Sequence, residues 1–234
     1  MISLNNVTKI YPPDRVIFKD INLSVNRGEL VVLYGLAASG KSVLFRMILR
    51  YEKPTQGTIS VFGRNLQTLQ IKEIPFLRRR IGYISQSPKL MRPRTVLDNL
   101  SVILNAIGTQ GKQADYQSKS MLEKVGLEKL SQAFTSDLSH SQVQKLVIAR
   151  ALIVEPSIIL ADEPLSVMEK SDAENTTQLL LDYNKKGSIL IWATQHSNIL
   201  PNVSKRIVDI KENSFFVTEP AIPVNEATTK ENIS

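Results

Sequence analysis

The sequence contains no cysteine. That excludes a disulfide framework, thiolate catalysis and any cysteine-ligated metal, and it suits a reducing cytoplasm. Aromatic residues make up 6% of the 234 residues, and they form no regular series alternating with basic ones. A stacking platform for single-stranded nucleic acid is therefore absent, and no nucleic-acid partner is expected. No apolar run approaches the roughly 18–20 residues that a membrane-crossing helix needs. The longest, such as 158–161 and 189–193, have the length of buried strands. Met1 leads directly into ISLNNVTKIY, without the basic region and apolar stretch of a secretory signal, so none is expected.

What is present suffices for an ordinary core. The chain is 42% hydrophobic and 22% charged, the balance of one sizeable globular domain, with or without a small subdomain. The formal net charge of +7 admits three readings: a polyanion, an acidic membrane face, or solubility alone. Its densest basic patch is FLRRRIG together with Arg92 and Arg94.

The apolar pattern indicates the architecture. GELVVLYG (28–35) is a strand-like run ending in glycine, followed by the helical pattern KSVLFRMILR. SIILADEP (157–164) and GSILIWAT (187–194) are two further apolar runs without alternation, as in a parallel sheet covered on both faces. Stretches 1–10, 16–25 and 57–62 alternate and read as antiparallel strands. Between roughly 88 and 150 the pattern is helical. There Thr95 and Asp98 form a helix-start signature ahead of Leu97, Leu100, Leu104 and Ile107. The expected fold is α/β, with a mainly parallel sheet core, an N-terminal antiparallel β subdomain and an inserted helical subdomain. The domain is expected over 1–218, and the polar, proline-containing stretch 219–234 as a disordered tail.

Two motifs carry chemistry. GLAASGKS, formed by Gly35, Leu36, Ala37, Ala38, Ser39, Gly40, Lys41 and Ser42 and followed by Val43, fits G-x-x-x-x-G-K-[ST] between a strand and a helix. Its backbone N–H groups would cradle phosphates, Lys41 would neutralise them and Ser42 would hold Mg²⁺. Ala38 stands where many such loops have a further glycine. If that position needs a positive φ, its Cβ costs roughly 1–2 kcal/mol. In IILADEP, Asp162 ends a buried strand and would take Mg²⁺, while Glu163 would polarise an attacking water.

The order of Tyr11, GLAASGKS, YISQ with Gln86, LSHSQ, ILADEP and ATQH resembles the nucleotide-binding subunits of ABC transporters. Within that family, EIPFLRRRIGYISQSPKLMRPRTVLDNL is similar to the FtsE subgroup of cell-division ATP-binding proteins. The resemblance implies a P-loop NTPase fold of ABC type, ATP and Mg²⁺ as cofactors, and adenine stacking on Tyr11. It implies contact of Gln86 with the metal, and a dimer in which Ser139, His140, Ser141 and Gln142 cover the nucleotide held by the other subunit. It further implies an FtsX-like integral membrane partner and a peripheral place on the cytoplasmic face of the bacterial inner membrane.

Three departures from the family pattern stand out. His140 and Ser141 replace both glycines of the L-S-G-G-Q element. The D-loop reads SVME from Ser166 to Glu169. Ungapped alignment puts Gln195 on the switch-histidine position, with His196 reaching it only after a one-residue shift. These departures leave two activities open: slow hydrolysis, or an ATP-gated scaffold with negligible turnover. The dimer could pair identical chains or two related ones, and another small ABC exporter remains a possible setting. NKKG at Asn184 is not a guanine reader, and no long coiled-coil insertion of the DNA-repair type is visible.

Overall fold

The computed structural model describes residues 1–87, 89–196 and 203–218; the stretch 219–234, expected as a tail, lies outside them. The N-terminal half opens with β1 (Ile2–Tyr11) and β2 (Arg15–Val25), joined later by β4 (Gln56–Val61) and the short β5 (Arg64–Asn65). They form an antiparallel sheet in the order β2-β1-β4-β5, as the alternation predicts. Its buried face (Ile2, Leu4, Val7, Phe18, Ile21, Val25, Ile59 and Val61) joins the core beneath α1 (Lys41–Ile48).

The second sheet has six strands: β3 (Leu30–Tyr34), β6 (Ile81–Ile84), β7 (Ile158–Asp162), β8 (Ile189–Thr194), β9 (Arg206–Lys211) and β10 (Ser214–Thr218). Their order is β10-β9-β3-β8-β7-β6. All neighbouring pairs are parallel except β9 and β10, a hairpin at one edge. The strand side chains alternate between two cores. Ile158, Leu160, Ile189 and Ile191 face the α1 side, whereas Ile159, Ala161, Leu190 and Trp192 face the helical side. Burial on both faces explains why these strands read as unbroken apolar runs.

Between β6 and β7 lie α3 (Val96–Ala106), α4 (Gly111–Lys124) and α5 (His140–Leu152). Thr95 and Asp98 cap α3 reciprocally. The insertion is not a body apart, because Leu146–Leu152 of α5 belong to the same core as Ile159 and Trp192. The approach of α5 to β6 is close: a Cβ on Gly82 would stand 2.5 Å from the carbonyl oxygen of Ala151. Helix α6 (Lys170–Lys185) then returns the chain to β8. This topology brings the C-terminal ends of β3, β7 and β8 side by side, where an open parallel sheet binds ligands.

Candidate nucleotide site

A cleft of about 330 Å³ lies over those strand ends, lined by Tyr11, Ala37–Val43, Gln86, Asp162, Glu163 and Gln195. Its floor is the loop between β3 and α1. Gly40 ends that loop at φ 98°, and a Cβ there would meet Ile17 and Phe18 at 2.7 Å, so only glycine lets the loop turn so close to the antiparallel sheet. Ala38 adopts φ 62°, so the strain foreseen for its Cβ is present. Gly35 and Leu36 hold the lysine: Lys41 Nζ donates to their carbonyl oxygens at 2.5 and 3.0 Å. Burial pushes the Lys41 ammonium below its ordinary pKa, a fall opposed by the nearby carboxylates of Glu163 and Asp162. The buried Ser39 hydroxyl has no hydrogen-bond partner among the described residues.

Asp162 is 3% exposed at the end of β7. Burial raises its carboxyl above the usual range, against the hydrogen bond from Ser42 and the charges of Lys41 and Arg46. An orphaned hydroxyl, a charged lysine and a serine bonded to a buried carboxylate fit the phosphates of a nucleotide with Mg²⁺. Among the described residues no cluster of three acidic or histidine side chains could hold a metal alone. Magnesium at Ser42, Gln86 and Asp162 would therefore depend on the phosphates and water for its remaining ligands.

Glu163, 7% exposed, takes φ 47°, a left-handed conformation that costs a non-glycine residue roughly 1–2 kcal/mol. Its N–H donates to Ala193 O at 3.0 Å, and Oε2 accepts from Thr194 Oγ1 at 3.3 Å. The same Thr194 oxygen accepts from the His196 N–H at 3.0 Å. Thr194 thus ties the glutamate to the segment after β8. Sequence reasoning missed it, because a buried threonine has no signature until its partner is known.

Gln195 lines the cleft whereas His196 does not, in line with the ungapped alignment. Tyr11 stands at the rim. Lys9 Nζ lies 4.6 Å from its ring centroid, and its hydroxyl bonds to Glu52, which also accepts from Arg46 Nε at 2.5 Å. Burial would raise the Glu52 carboxyl, but its bonds from Tyr11, Arg46 and Lys9 hold it below the usual value. Arg46 also lines the cleft. It was missed because it sits in an otherwise apolar helical pattern.

Ser139, His140, Ser141 and Gln142 are not among the residues lining the cleft of their own chain. They start α5, where Ser139 Oγ accepts from Gln142 N–H at 3.3 Å and Gln142 Oε1 accepts from Ser139 N–H at 2.9 Å. This reciprocal cap leaves the hydroxyl proton of Ser139 without a partner among the described residues. Ser141 is engaged elsewhere: its hydroxyl donates to Asp172 Oδ2 at 3.3 Å, while Lys145 holds the other oxygen at 2.6 Å. Of the two side chains replacing glycine, only His140 stands exposed at the helix start.

Beside the cleft runs a groove of about 1060 Å³ between the sheet edge and the helical insertion. Ser42, Arg46, Gln86 and Asp162 line both cavities. The far wall of the groove carries Val102, Ile103 and Ile107 of α3 and its C-terminal end.

A phosphate loop, a buried aspartate–glutamate pair and a helical insertion on a parallel sheet define an ATP-binding cassette. The family model for the ABC transporter matches residues 18–166. The chain is 32% identical to the cell division ATP-binding protein FtsE of Bacillus subtilis (strain 168), over 91% of this chain and 93% of the relative. The same identity holds for FtsE of Escherichia coli (strain K12), over 91% and 96%. The methionine import ATP-binding protein MetN of Halalkalibacterium halodurans is 30% identical, over 99% of this chain and 71% of its own length. Among solved structures, the dimeric bacterial ABC transporter cassette MJ0796 superposes with a TM-score of 0.88 at 29% identity, covering 94% of this chain and 98% of that one. A dimeric post-hydrolysis state of MJ0796 bound to ADP and Pi superposes at 0.87. The chain belongs to the ABC transporter family and is one of its ATP-binding, ATP-hydrolysing subunits.

Proposed function

We propose that two copies of this chain, or one copy and a related subunit, close around two ATP molecules and drive an FtsX-like membrane protein in bacterial cell division. The resting place would be the cytoplasmic face of the inner membrane. In this reading the loop amides, Ser39 and Lys41 bind the phosphates, and the Tyr11 ring supports the adenine. Ser42, Asp162 and Gln86 hold Mg²⁺, which supplies charge neutralisation and orientation at the terminal phosphates. Glu163 accepts a proton from the attacking water, and Gln195 donates a hydrogen bond to the γ-phosphate. Ser139 approaches that phosphate from the opposite subunit, its free hydroxyl proton and the start of α5 both suited to an anion.

The observation that carries the coupling is Gln86, which stands in the cleft and in the groove at once. A membrane partner seated in the groove would feel nucleotide turnover through that side chain. The choice of cell division rests on the FtsE relatives, which match this chain over nearly their full length. Gln195 favours slow turnover, because an amide brings no positive charge to the γ-phosphate; His196 outside the cleft gives none either. Co-expression of the chain with the FtsX-like protein of its own genome tests the proposal. Joint purification that Val102→Glu abolishes is expected. A chain that purifies alone, or that pairs instead with the membrane subunit of an exporter, would overturn the division role.

A further inference from the structure

One wall of the groove continues into an exposed segment. Residues 71–80 run through a 3-10 turn (Ile71–Glu73) and the short helix α2 (Ile74–Arg78). Two large apolar side chains project from this segment: Ile71 is 87% exposed and Phe76 is 64% exposed. Four cations accompany them, Lys72, Arg78, Arg79 and Arg80. The one acid, Glu73, is paired with Arg64. None of the four is in an ion pair among the described residues. The guanidinium of Arg79 lies 5.3 Å from the Phe76 ring centroid, and that of Arg78 lies 3.8 Å from that of Tyr51, itself 59% exposed.

A single exposed apolar residue on a protein surface needs no explanation. Here two of them share one short segment with the exposed cations Lys72 and Arg79, Arg79 beside the Phe76 ring, while the Arg78 guanidinium donates to the carbonyl oxygens of Leu49 and Arg50 and that of Arg80 lies over the Phe62 ring. We propose that this segment rests against an anionic lipid surface through Ile71, Lys72 and Phe76, with Arg79 beside the Phe76 ring. Lipid headgroups supply negative charge without demanding a fixed geometry, and the boundary below them accepts Phe76 and Ile71. Stacked arginine and aromatic side chains suit that boundary, being apolar in body and polar at the tip. A protein segment is the weaker candidate, since the groove is the seat the proposed membrane partner takes, and Ile71, Lys72 and Phe76 do not line it.

The inference rests on the proposed function for orientation only. Tyr51, Pro75, Arg78 and Arg79 line the groove whereas Ile71, Lys72 and Phe76 do not, so a membrane partner seated there would leave those three side chains open to the bilayer. Contact with lipid can be tested without that partner. The purified chain is sedimented with vesicles of phosphatidylglycerol in phosphatidylcholine and, separately, of phosphatidylcholine alone.

Binding to the anionic vesicles only is expected, declining as salt shortens the screening length from about 10 Å at 0.1 M to about 3 Å at 1 M. Ile71→Ser with Phe76→Ser should weaken it about tenfold, and Lys72→Glu by several-fold. Melting temperature and ATP turnover should not change, because these side chains lie outside both the core and the cleft. No binding to anionic vesicles, or binding that the double substitution leaves unchanged, would overturn the proposal. If the double variant kept vesicle binding but lost joint purification with the membrane protein, the segment would be a protein-docking surface and the lipid assignment would fall. Vesicle binding by a chain that purifies with no membrane protein would sustain this inference while removing the partner.

Discussion

Replacing Thr194 by valine tests whether the position of Glu163 depends on its one hydroxyl donor. Thr194 is 2% exposed, and valine keeps its shape while removing the bond to Glu163 Oε2 at 3.3 Å and the acceptor for the His196 N–H at 3.0 Å. A hydrogen bond to a charged group is worth about 1.5–3 kcal/mol. The length of this one puts it at the lower end, about 1.5 kcal/mol, or roughly tenfold in rate. Thr194 does not line the cleft, so kcat should fall about tenfold while KM for ATP stays within about twofold. Phosphate release at saturating ATP reads the first and its concentration dependence the second, with the melting temperature as a control for packing. Thr194→Ser, which restores the hydroxyl, should recover most of the rate. An unchanged kcat in the valine variant would refute the positioning role, and an equal loss in the serine variant would trace the effect to packing.

Two further substitutions follow from the cleft. Ala38→Gly relieves a Cβ at φ 62°, worth roughly 1–2 kcal/mol, against a glycine entropy cost of about 0.5–1 kcal/mol. A net gain of about 0.5 kcal/mol should raise the melting temperature by about 1–2 °C, and a fall in a thermal melt would contradict the strain. Gln195→His, combined with glycine at positions 140 and 141, should raise turnover about tenfold or more in a steady-state assay, since each preorganised donor in such a site carries a large share of the rate. No rise would mean that another step limits.

The buried parallel strands were readable because apolar runs covered on both faces cannot alternate, and the loop at Gly35–Ser42 was readable because few other sequences turn from strand to phosphate-binding helix. Thr95–Asp98 announced its helix through a reciprocal cap, whereas the cap of Ser139 and Gln142 emerged only in the structure. The hairpin of β9 and β10 was not legible: RIVDIK mixes charge with apolar residues, SFFVT is only five residues long, and the period is too short to stand out. The site was legible where a side chain meets its own backbone or strand end. It was hidden where partners are far apart in sequence, as for Ser141 with Asp172 and Thr194 with Glu163.

The central claim is that the cleft of one chain is completed by the start of α5 in another. Light scattering of the Glu163→Gln variant, in which slow turnover lets the ATP-bound state accumulate, tests it most directly. With ATP and Mg²⁺ the measured mass should double, and adding Lys41→Ala or Ser139→Arg should return it to that of one chain, with Ser139→Arg still binding ATP. A mass that stays at one chain under saturating ATP, or a dimer indifferent to both substitutions, would contradict the account.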